Sequence, residues 1–381
     1  MPPGALAGRL SGRVADLLAL ADIRIGGPRP WDLQVHDPSV FRRLLLQGSL
    51  GLGETYMEGG WDAASLDGFL FRLMDARLDL RVRGLAAALG KLRAVLSNPQ
   101  APRQSFVVGE RHYDLGNDLY AAMLGPGMIY SCGYWRRPDG SVASGLDTAQ
   151  EAKLELVFRK LGLRPGMRVL DIGCGWGGAL RHAAERFGVS GVGLTISREQ
   201  AGLAREACRG LPVEIRLQDY RELDERFDRV FSIGMFEHVG VANYARYFSV
   251  VRRCLADDGL FVLHTIGKDR SSRSVDPWIN RYVFPNSMLP SAAQVTRAAE
   301  GRFVIEDWHN FGADYDLTLQ AWWRNVEASR DALPARYDER FRRMWRFYLA
   351  SSMALFRSRR GQLWQLVLSP RGVPDGYLAP R

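Results

Sequence analysis

Residues 169–178 read Val-Leu-Asp-Ile-Gly-Cys-Gly-Trp-Gly-Gly. A short apolar run ends there in glycines. Such a turn lets the backbone bend tightly and approach a ligand closely, while the helix that follows packs on the strand. Gly173, Gly175 and Gly178 satisfy the dinucleotide pattern GxGxxG literally, but two features speak against a nicotinamide cofactor. Asp171 stands just before the glycines. The next strand ends in Thr195-Ile196-Ser197, where a nicotinamide-binding chain would offer Asp or Glu to the ribose. From Thr195 to Gln200, hydroxyl and amide groups can take that ribose role. Gln218-Asp219-Tyr220 follow a third strand, where an aspartate can accept from an adenine amino group. Polar residues at strand ends are ordinary loop chemistry; their register with the glycine turn, which with Gly177 closes the motif, makes them a candidate nucleoside cradle.

The elements that must position these residues alternate. Strands are expected at 167–172, 189–195, 213–218, 227–233 and 260–265, and helices at 178–187, 198–209 and 243–255. That alternation predicts an α/β fold of Rossmann-like type, with a doubly wound, mostly parallel sheet. Ligands of such sheets bind beyond the carboxyl ends of the strands. Glu237 and His264, after the fourth and fifth strands, therefore lie on the ligand edge. Upstream, helices are expected at 9–20, 38–47 with Asp37 as N-cap, and 67–85, with a glycine-rich aromatic stretch at 48–62. Residues 97–102, Ser-Asn-Pro-Gln-Ala-Pro, read as a linker. The expected division is a small N-terminal domain at 1–98, a linker at 99–110 and a catalytic domain at 111–381.

Composition narrows the class. With 381 residues, 46% of them hydrophobic and 24% charged, the chain can bury a sizeable core and is neither collagen-like nor disordered. Cys132, Cys174, Cys208 and Cys254 form no CxxC pair, which predicts free thiols in a reducing compartment and no metal site. No apolar run approaches the roughly 20 residues needed to span a bilayer, and no signal peptide is expected. The net charge of +9 suits an anionic partner or an arginine-rich soluble surface.

The Asp-x-Gly-x-Gly form resembles S-adenosylmethionine-dependent methyltransferases. The whole chain from about residue 35 is similar to the bacterial cyclopropane-fatty-acyl-phospholipid synthases, the family that includes the mycolic acid cyclopropane synthases. The similarity runs through Gly48–Trp61, HYDLGNDLY at 112–120, YSCGYW at 130–135, LDIGCGWGG, GMFEHVG at 234–240, HTIG at 264–267, DPWINRYVFPN at 276–286 and EDWHNFGADYD at 306–316. The resemblance implies a class I methyltransferase with a small lipid-engaging N-terminal domain. It implies addition of the S-adenosylmethionine methyl carbon across a cis double bond of a phospholipid acyl chain, with bound bicarbonate as base. It also implies a homodimer in the cytoplasm, transiently associated with the inner face of the cytoplasmic membrane, and no nucleic-acid partner. By the same resemblance, Cys132, Glu237, His264, Tyr315 and the backbone N–H of Ile266 hold bicarbonate. Tyr130 and Ser131 become donor contacts beside Asp171, Gly173, Gly175, Gly177, Thr195, Gln200, Gln218, Asp219 and Tyr220. Some relatives carry a cysteine where this chain has Ser351-Ser352, so no catalysis is assigned to that segment.

The chemistry is consistent with those residue types. An alkene is a poor nucleophile and a sulfonium methyl a strong electrophile, so no protein nucleophile is needed. The cation that follows needs a dry pocket with π-faces or an anion nearby. The ring then closes by losing a proton to a base that can be weak but must be close. The same residues admit plainer readings: Cys132 as a packed thiol, His264 as a satisfied core histidine, and Tyr315 as part of a turn among acids. A methyl-branched or methylene product, a small soluble acceptor and an inactive lipid-binding module are rival functions. Finally, Arg336, Arg340, Arg342, Arg343 and Arg346 interleave with aromatic residues, and Arg357, Arg359 and Arg360 follow. This stretch fits either an anionic membrane surface or a packed helix with solvated arginines.

Overall fold

The computed structural model describes residues 3–78, 116–272 and 274–381, without the side chains of residues 3–9. The expected linker at 99–110, and residues 112–115 of the HYDLGNDLY segment, lie outside the described residues. The elements in order are α1 (Pro3–Ala19), β1 (Gln34–Val35), α2 (Ser39–Gln47), α3 (Ser49–Met57), β2 (Trp61–Asp62), α4 (Leu66–Asp75), α5 (Asn117–Leu124) and α6 (Leu146–Leu161). Then come β3 (Arg168–Ile172), α7 (Gly178–Phe187), β4 (Ser190–Thr195), α8 (Arg198–Ala207), β5 (Val213–Leu217), β6 (Phe227–Ile233), α9 (Tyr244–Cys254) and β7 (Leu255–Lys268). The last are α10 (Pro277–Tyr282), α11 (Ala292–Ala299), β8 (Val304–Asn310), α12 (Asp314–Ala328), α13 (Glu339–Arg357) and β9 (Gly361–Ser369).

Seven strands form one sheet in the order β5-β4-β3-β6-β7-β9-β8. The pairs β3–β4, β3–β6, β4–β5 and β6–β7 are parallel, and β8–β9 is antiparallel. Alternation along each strand explains why helices cover both faces. Val169, Phe231 and Val262 join the core of α6, α7 and α8, with Leu154, Phe158, Leu180 and Ala204. Their neighbours Leu170, Val230 and Phe261 join the opposite core, with Tyr247, Phe248 and Val251 of α9 and Val295 of α11. The expected fold class holds. The strands β8 and β9 were not read from the sequence.

The chain divides into two compact units, and the division is not sequential. One unit holds residues 1–98, 273–285 and 327–361; the other holds 99–272, 286–326 and 362–381. The expectation of a single catalytic stretch at 111–381 therefore differs from the packing. In the first unit, α13 packs on α3 and α4, and α10 packs on α3. Trp61, Phe69, Trp278 and Phe347 are buried there, with the Trp278 and Phe347 ring centroids 4.6 Å apart. The stretch at 48–62 is mostly helical, as α3. Helix α4 begins at Leu66 under a Ser65 cap that accepts the Gly68 N–H, one residue ahead of the expected start. Helix α2 begins at Ser39 with Pro38, one residue after the expected Asp37, at the N-cap position; Asp37 still accepts the Ser39 N–H at 2.8 Å.

The arginines of α13 turn inward more than the sequence suggests. Arg343 donates to the backbone oxygens of Tyr56 and Trp61 and to Asp62, and its guanidinium lies 4.0 Å from the centre of the Tyr56 ring. Arg346 pairs with Glu327, Arg357 with Asp67, and Arg360 with the Met74 carbonyl. These four arginines are committed to packing. Arg336 and Arg340 are exposed. No described helix is long and apolar enough to cross a membrane.

Candidate active site

The parallel strands bring the residues of the expected cradle to one sheet edge. Asp171 is the penultimate residue of β3 and is buried. The glycine turn follows, tied back by the Gly173 and Cys174 N–H groups to the Leu194 carbonyl at 3.0 and 2.9 Å. Gly173, at φ +92°, sits where a Cβ would meet the Met235 Cβ at 2.6 Å. Gly175, at φ +54°, has nothing within 4 Å of its would-be Cβ, so the turn opens there onto free space. Gly177 leads into α7. At the end of β4, the Thr195 hydroxyl donates to Gln200 Oε1 at 3.0 Å and accepts the Ser197 N–H at 3.2 Å. After β5, the Gln218 N–H donates to the Thr195 carbonyl. Both Asp219 oxygens accept from Arg221, and the Tyr220 ring packs 5.3 Å from Tyr247. The half-buried, positive-φ glycine turn with an open mouth fits an adenosyl sulfonium donor, and Thr195, Gln200, Gln218 and Asp219 border the same sheet edge.

The second group of expected residues lies on the same edge. The Gly234 N–H, at the exit of β6, donates to the His264 carbonyl of β7 at 2.9 Å. Glu237 follows three residues later and is 5% exposed. Its Oε1 accepts the Ile266 N–H at 2.7 Å, and its Oε2 is buried without a partner. The Ile266 N–H, expected to face an anion, thus orients Glu237 in the first place. Burial pushes the Glu237 carboxyl up to about 7, against the pull of the Ile266 N–H. His264 is 1% exposed; its Nδ1 lies 3.3 Å from the Gln365 amide nitrogen, and its Nε2 has no partner. With Gln365 donating to Nδ1, the imidazole proton resides on Nε2. Burial, then the charges of Lys153, Lys160 and His309, hold His264 well below its usual range, so it is neutral.

Helix α12 carries Tyr315 and approaches Cys132 through Thr318. Thr318 Oγ1 accepts the Gly133 N–H at 3.0 Å and the Trp135 indole N–H at 2.9 Å, and stands 3.7 Å from Cys132 Sγ. Asp314 accepts the N–H groups of Trp135 and Arg136. Tyr315 lies between Asp314 and Thr318 on that helix, three residues from Thr318 and hence on its side. Burial pushes the Cys132 thiol well up, so it is protonated, and it donates to the Gly133 carbonyl at 3.1 Å. Phe311 approaches His264, with ring centroids 5.9 Å apart. A run of rings, Trp176, Tyr120, Tyr130, Trp322 and Tyr315, leads from the glycine turn to this group with successive centroids 5.1–6.1 Å apart. All four cysteines are buried and unbridged.

Several members of the site were not read from the sequence. Lys153 is fully buried on α6, its Nζ 2.8 Å from Ser131 Oγ. It occupies the helix face that Ala149, Leu156 and Val157 bury, and a lysine on an apolar face was the available signal. Asp314, Thr318, Phe311 and Gln365 act through contacts distant in sequence and carried no local signal.

The comparisons with known proteins agree with this geometry. The family model for mycolic acid cyclopropane synthetase matches residues 100–366. The cyclopropane-fatty-acyl-phospholipid synthase of Escherichia coli strain K12 is 49% identical over 367 residues, covering 96% of this chain and 94% of that protein. Among solved structures, the cyclopropane synthase MmaA2 of Mycobacterium tuberculosis has a TM-score of 0.63 at 30% identity, covering 69% of this chain and 97% of that one. The mycolic acid cyclopropane synthase CmaA1, solved with S-adenosylhomocysteine and CTAB, has a TM-score of 0.63 at 32% identity over 69% of this chain and 97% of its own. The glycine turn, the strand-edge carboxylate and histidine, and these matches place the chain in one group: it is an enzyme belonging to the mycolic acid cyclopropane synthetase family of S-adenosylmethionine-dependent methyltransferases.

Proposed function

We propose that this enzyme converts the cis double bond of unsaturated acyl chains in membrane phospholipids to a cyclopropane ring, through a carbocation and with bound bicarbonate as general base. The observation that carries the reading is the pair of buried, unpartnered polar atoms, Glu237 Oε2 and His264 Nε2, on the ligand edge of the sheet. Buried polar groups without partners are rare and costly, so a ligand is the natural partner for both. A neutral histidine N–H, a protonated thiol and a tyrosine hydroxyl are donors, and a carboxylate is an acceptor. That set suits a small oxyanion that still carries one proton.

S-adenosylmethionine, when bound, supplies an electrophilic methyl group. Bicarbonate, when bound, supplies a weak base, sufficient because a protonated cyclopropane is a strong acid. The protein's own residues do the rest. The open turn at Gly175, with Thr195, Gln200, Gln218, Asp219 and Tyr220 beside it, holds the donor. His264 Nε2–H, the Cys132 thiol and Tyr315 orient the anion. Glu237, held by the Ile266 N–H, accepts the anion's own proton at Oε2. The rings of Tyr130, Trp322 and Tyr315 exclude water and offer π-faces to the cation.

The reading extends to a homodimer in the cytoplasm that touches the inner membrane face transiently, with residues 1–98 engaging lipid; the phospholipid in the name of the relative above supports the lipid contact alone. The test is purified protein with S-adenosylmethionine and vesicles of unsaturated phospholipid, followed by fatty-ester chromatography and mass spectrometry. A product heavier by one CH2 that has lost its alkene supports ring formation, whereas a methyl-branched or methylene product overturns it. Stripping carbonate from the buffer should lower turnover, and adding it back should restore it. Full turnover in rigorously carbonate-free buffer would remove bicarbonate from the mechanism.

A further inference from the structure

Lys153 has no place in the reading above, yet it stands at the centre of the site. It is fully buried and, among the described residues, forms no ion pair; its Nζ bonds the Ser131 hydroxyl at 2.8 Å. Three residues earlier on α6, the Gln150 amide nitrogen donates to the Ser131 carbonyl at 2.7 Å. Helix α6 therefore grips one residue twice, by its backbone through Gln150 and by its side chain through Lys153. From the other side, Thr318 and Asp314 of α12 hold residues 133–136. The segment Tyr130-Ser131-Cys132 is suspended between the two helices. Tyr130 faces Tyr120 and Trp322, and Cys132 faces Thr318.

We propose that Lys153 is a positioning residue for the methyl donor, fixing the Ser131 hydroxyl and, through it, the segment that joins the donor site to the anion site. The inference rests on the reading of Tyr130 and Ser131 as donor contacts. The Gln150 and Thr318 bonds already anchor the segment's backbone, so its fold does not require a buried ammonium. A buried charge is expensive, and an apolar side chain of similar volume in its place is commonly neutral or stabilising. Retaining a lysine there points to a role in the site. The charges around Lys153 are consistent with that role. Burial pushes its ammonium down to about 7, and the Asp171 carboxylate before the glycine turn pulls it back up. Burial raises the Asp171 carboxyl to about 8, partly offset by Lys153, and Lys153 adds to the burial that lowers His264. One side chain thus senses the strand end of the donor site and the histidine of the anion site.

The experiment is a double-mutant cycle read by calorimetry with S-adenosylhomocysteine on the full-length protein, using Lys153→Met, Ser131→Ala and both together. Each single change should weaken binding by roughly tenfold, the loss expected of one charge-assisted hydrogen bond. The double variant should bind no more weakly than the poorer single variant, because both changes remove the same bond. Lys153→Met should keep or raise its thermal midpoint. Parental affinity in Lys153→Met with a lowered midpoint would make the lysine merely structural and overturn the proposal. Strictly additive losses would overturn the route through Ser131, as would parental affinity in Ser131→Ala, which decides the matter even if Lys153→Met fails to fold. Parental affinity in Gly175→Ala would fail the donor-site reading itself, and the proposal with it.

Discussion

The Ile266 N–H donates to Glu237 Oε1 at 2.7 Å, and that bond helps set the direction of the carboxylate while Oε2 is buried and unpartnered. The bond joins the exit of β6 to the middle of the β7 terminus, two residues beyond His264. A strand edge therefore supplies both the carboxylate and the group that aims it. The same carboxyl carries a burial penalty, and this makes its protonation legible in stability as well as in rate.

In the folded protein the Glu237 carboxyl is pushed up to about 7, from an ordinary value of 4.5. The folded state thus binds the proton more tightly than the unfolded chain does. The stability this proton lends is complete below about pH 4.5 and is lost as the pH rises through about 7, a difference of about 3 kcal/mol. Glu237→Gln does not titrate, so it should gain stability relative to the parent between about pH 5 and about pH 8. Urea unfolding at those two values checks this, and an unchanged difference would place the carboxyl in an ordinary environment. Turnover of the parent should rise through about pH 7 as Glu237 ionises, and the glutamine variant should lose most of it while binding S-adenosylhomocysteine normally.

His264→Ala removes a neutral donor from the anion site and touches nothing in the glycine turn. Turnover should fall by roughly 100-fold, the usual loss for one preorganised donor at a developing charge, with donor affinity unchanged. The imidazole is held neutral well below its usual range, so it should contribute no limb near pH 6.5 to the rate profile of the parent. Calorimetry beside single-turnover kinetics separates the two effects. A parallel loss of S-adenosylhomocysteine binding would move His264 from the anion site to the donor site.

Two alanine substitutions in the glycine turn should part company. At Gly175 the backbone angle costs an alanine roughly 1 kcal/mol, but no atom blocks its methyl group. Gly175→Ala should fold and yet gain no thermal stability from S-adenosylhomocysteine. At Gly173 the methyl would lie 2.6 Å from the Met235 Cβ in addition to the backbone strain, a cost of about 2 kcal/mol or more. Gly173→Ala should therefore unfold at lower temperature with or without ligand. A ligand-induced shift of parental size in Gly175→Ala would show that the turn is not the donor site.

Arg343→Gln should act on stability and not on electrostatic attraction to lipid. The side chain joins Tyr56, Trp61 and Asp62 inside the first unit, so its loss should cost about 1–3 kcal/mol. Denaturant unfolding measures that. Flotation with anionic vesicles at low salt should match the parent at equal folded fraction, and weakened flotation without destabilisation would return Arg343 to the lipid surface.

What was legible in the sequence is what short-range physics writes there. Short, largely apolar runs at 169–172, 227–233 and 260–265 specify strands buried on both faces, and the glycines of 173–178 require a turn at the end of the first. The strand–helix repeat then implies a parallel sheet, and the parallel sheet alone puts Glu237 and His264 on one edge. The pairing of β8 with β9, the assignment of residues 273–285 and 327–361 to the first unit, and the inward turn of Arg343 and Arg346 depend on contacts between distant segments. Local pattern holds no record of such partners. The same limit hid the grip of Thr318 and Asp314 on residues 133–136 and the burial of Lys153. A threonine, an aspartate and a lysine on helices look solvated until the tertiary packing removes the water around them and leaves partners from residues 131–136 to satisfy them.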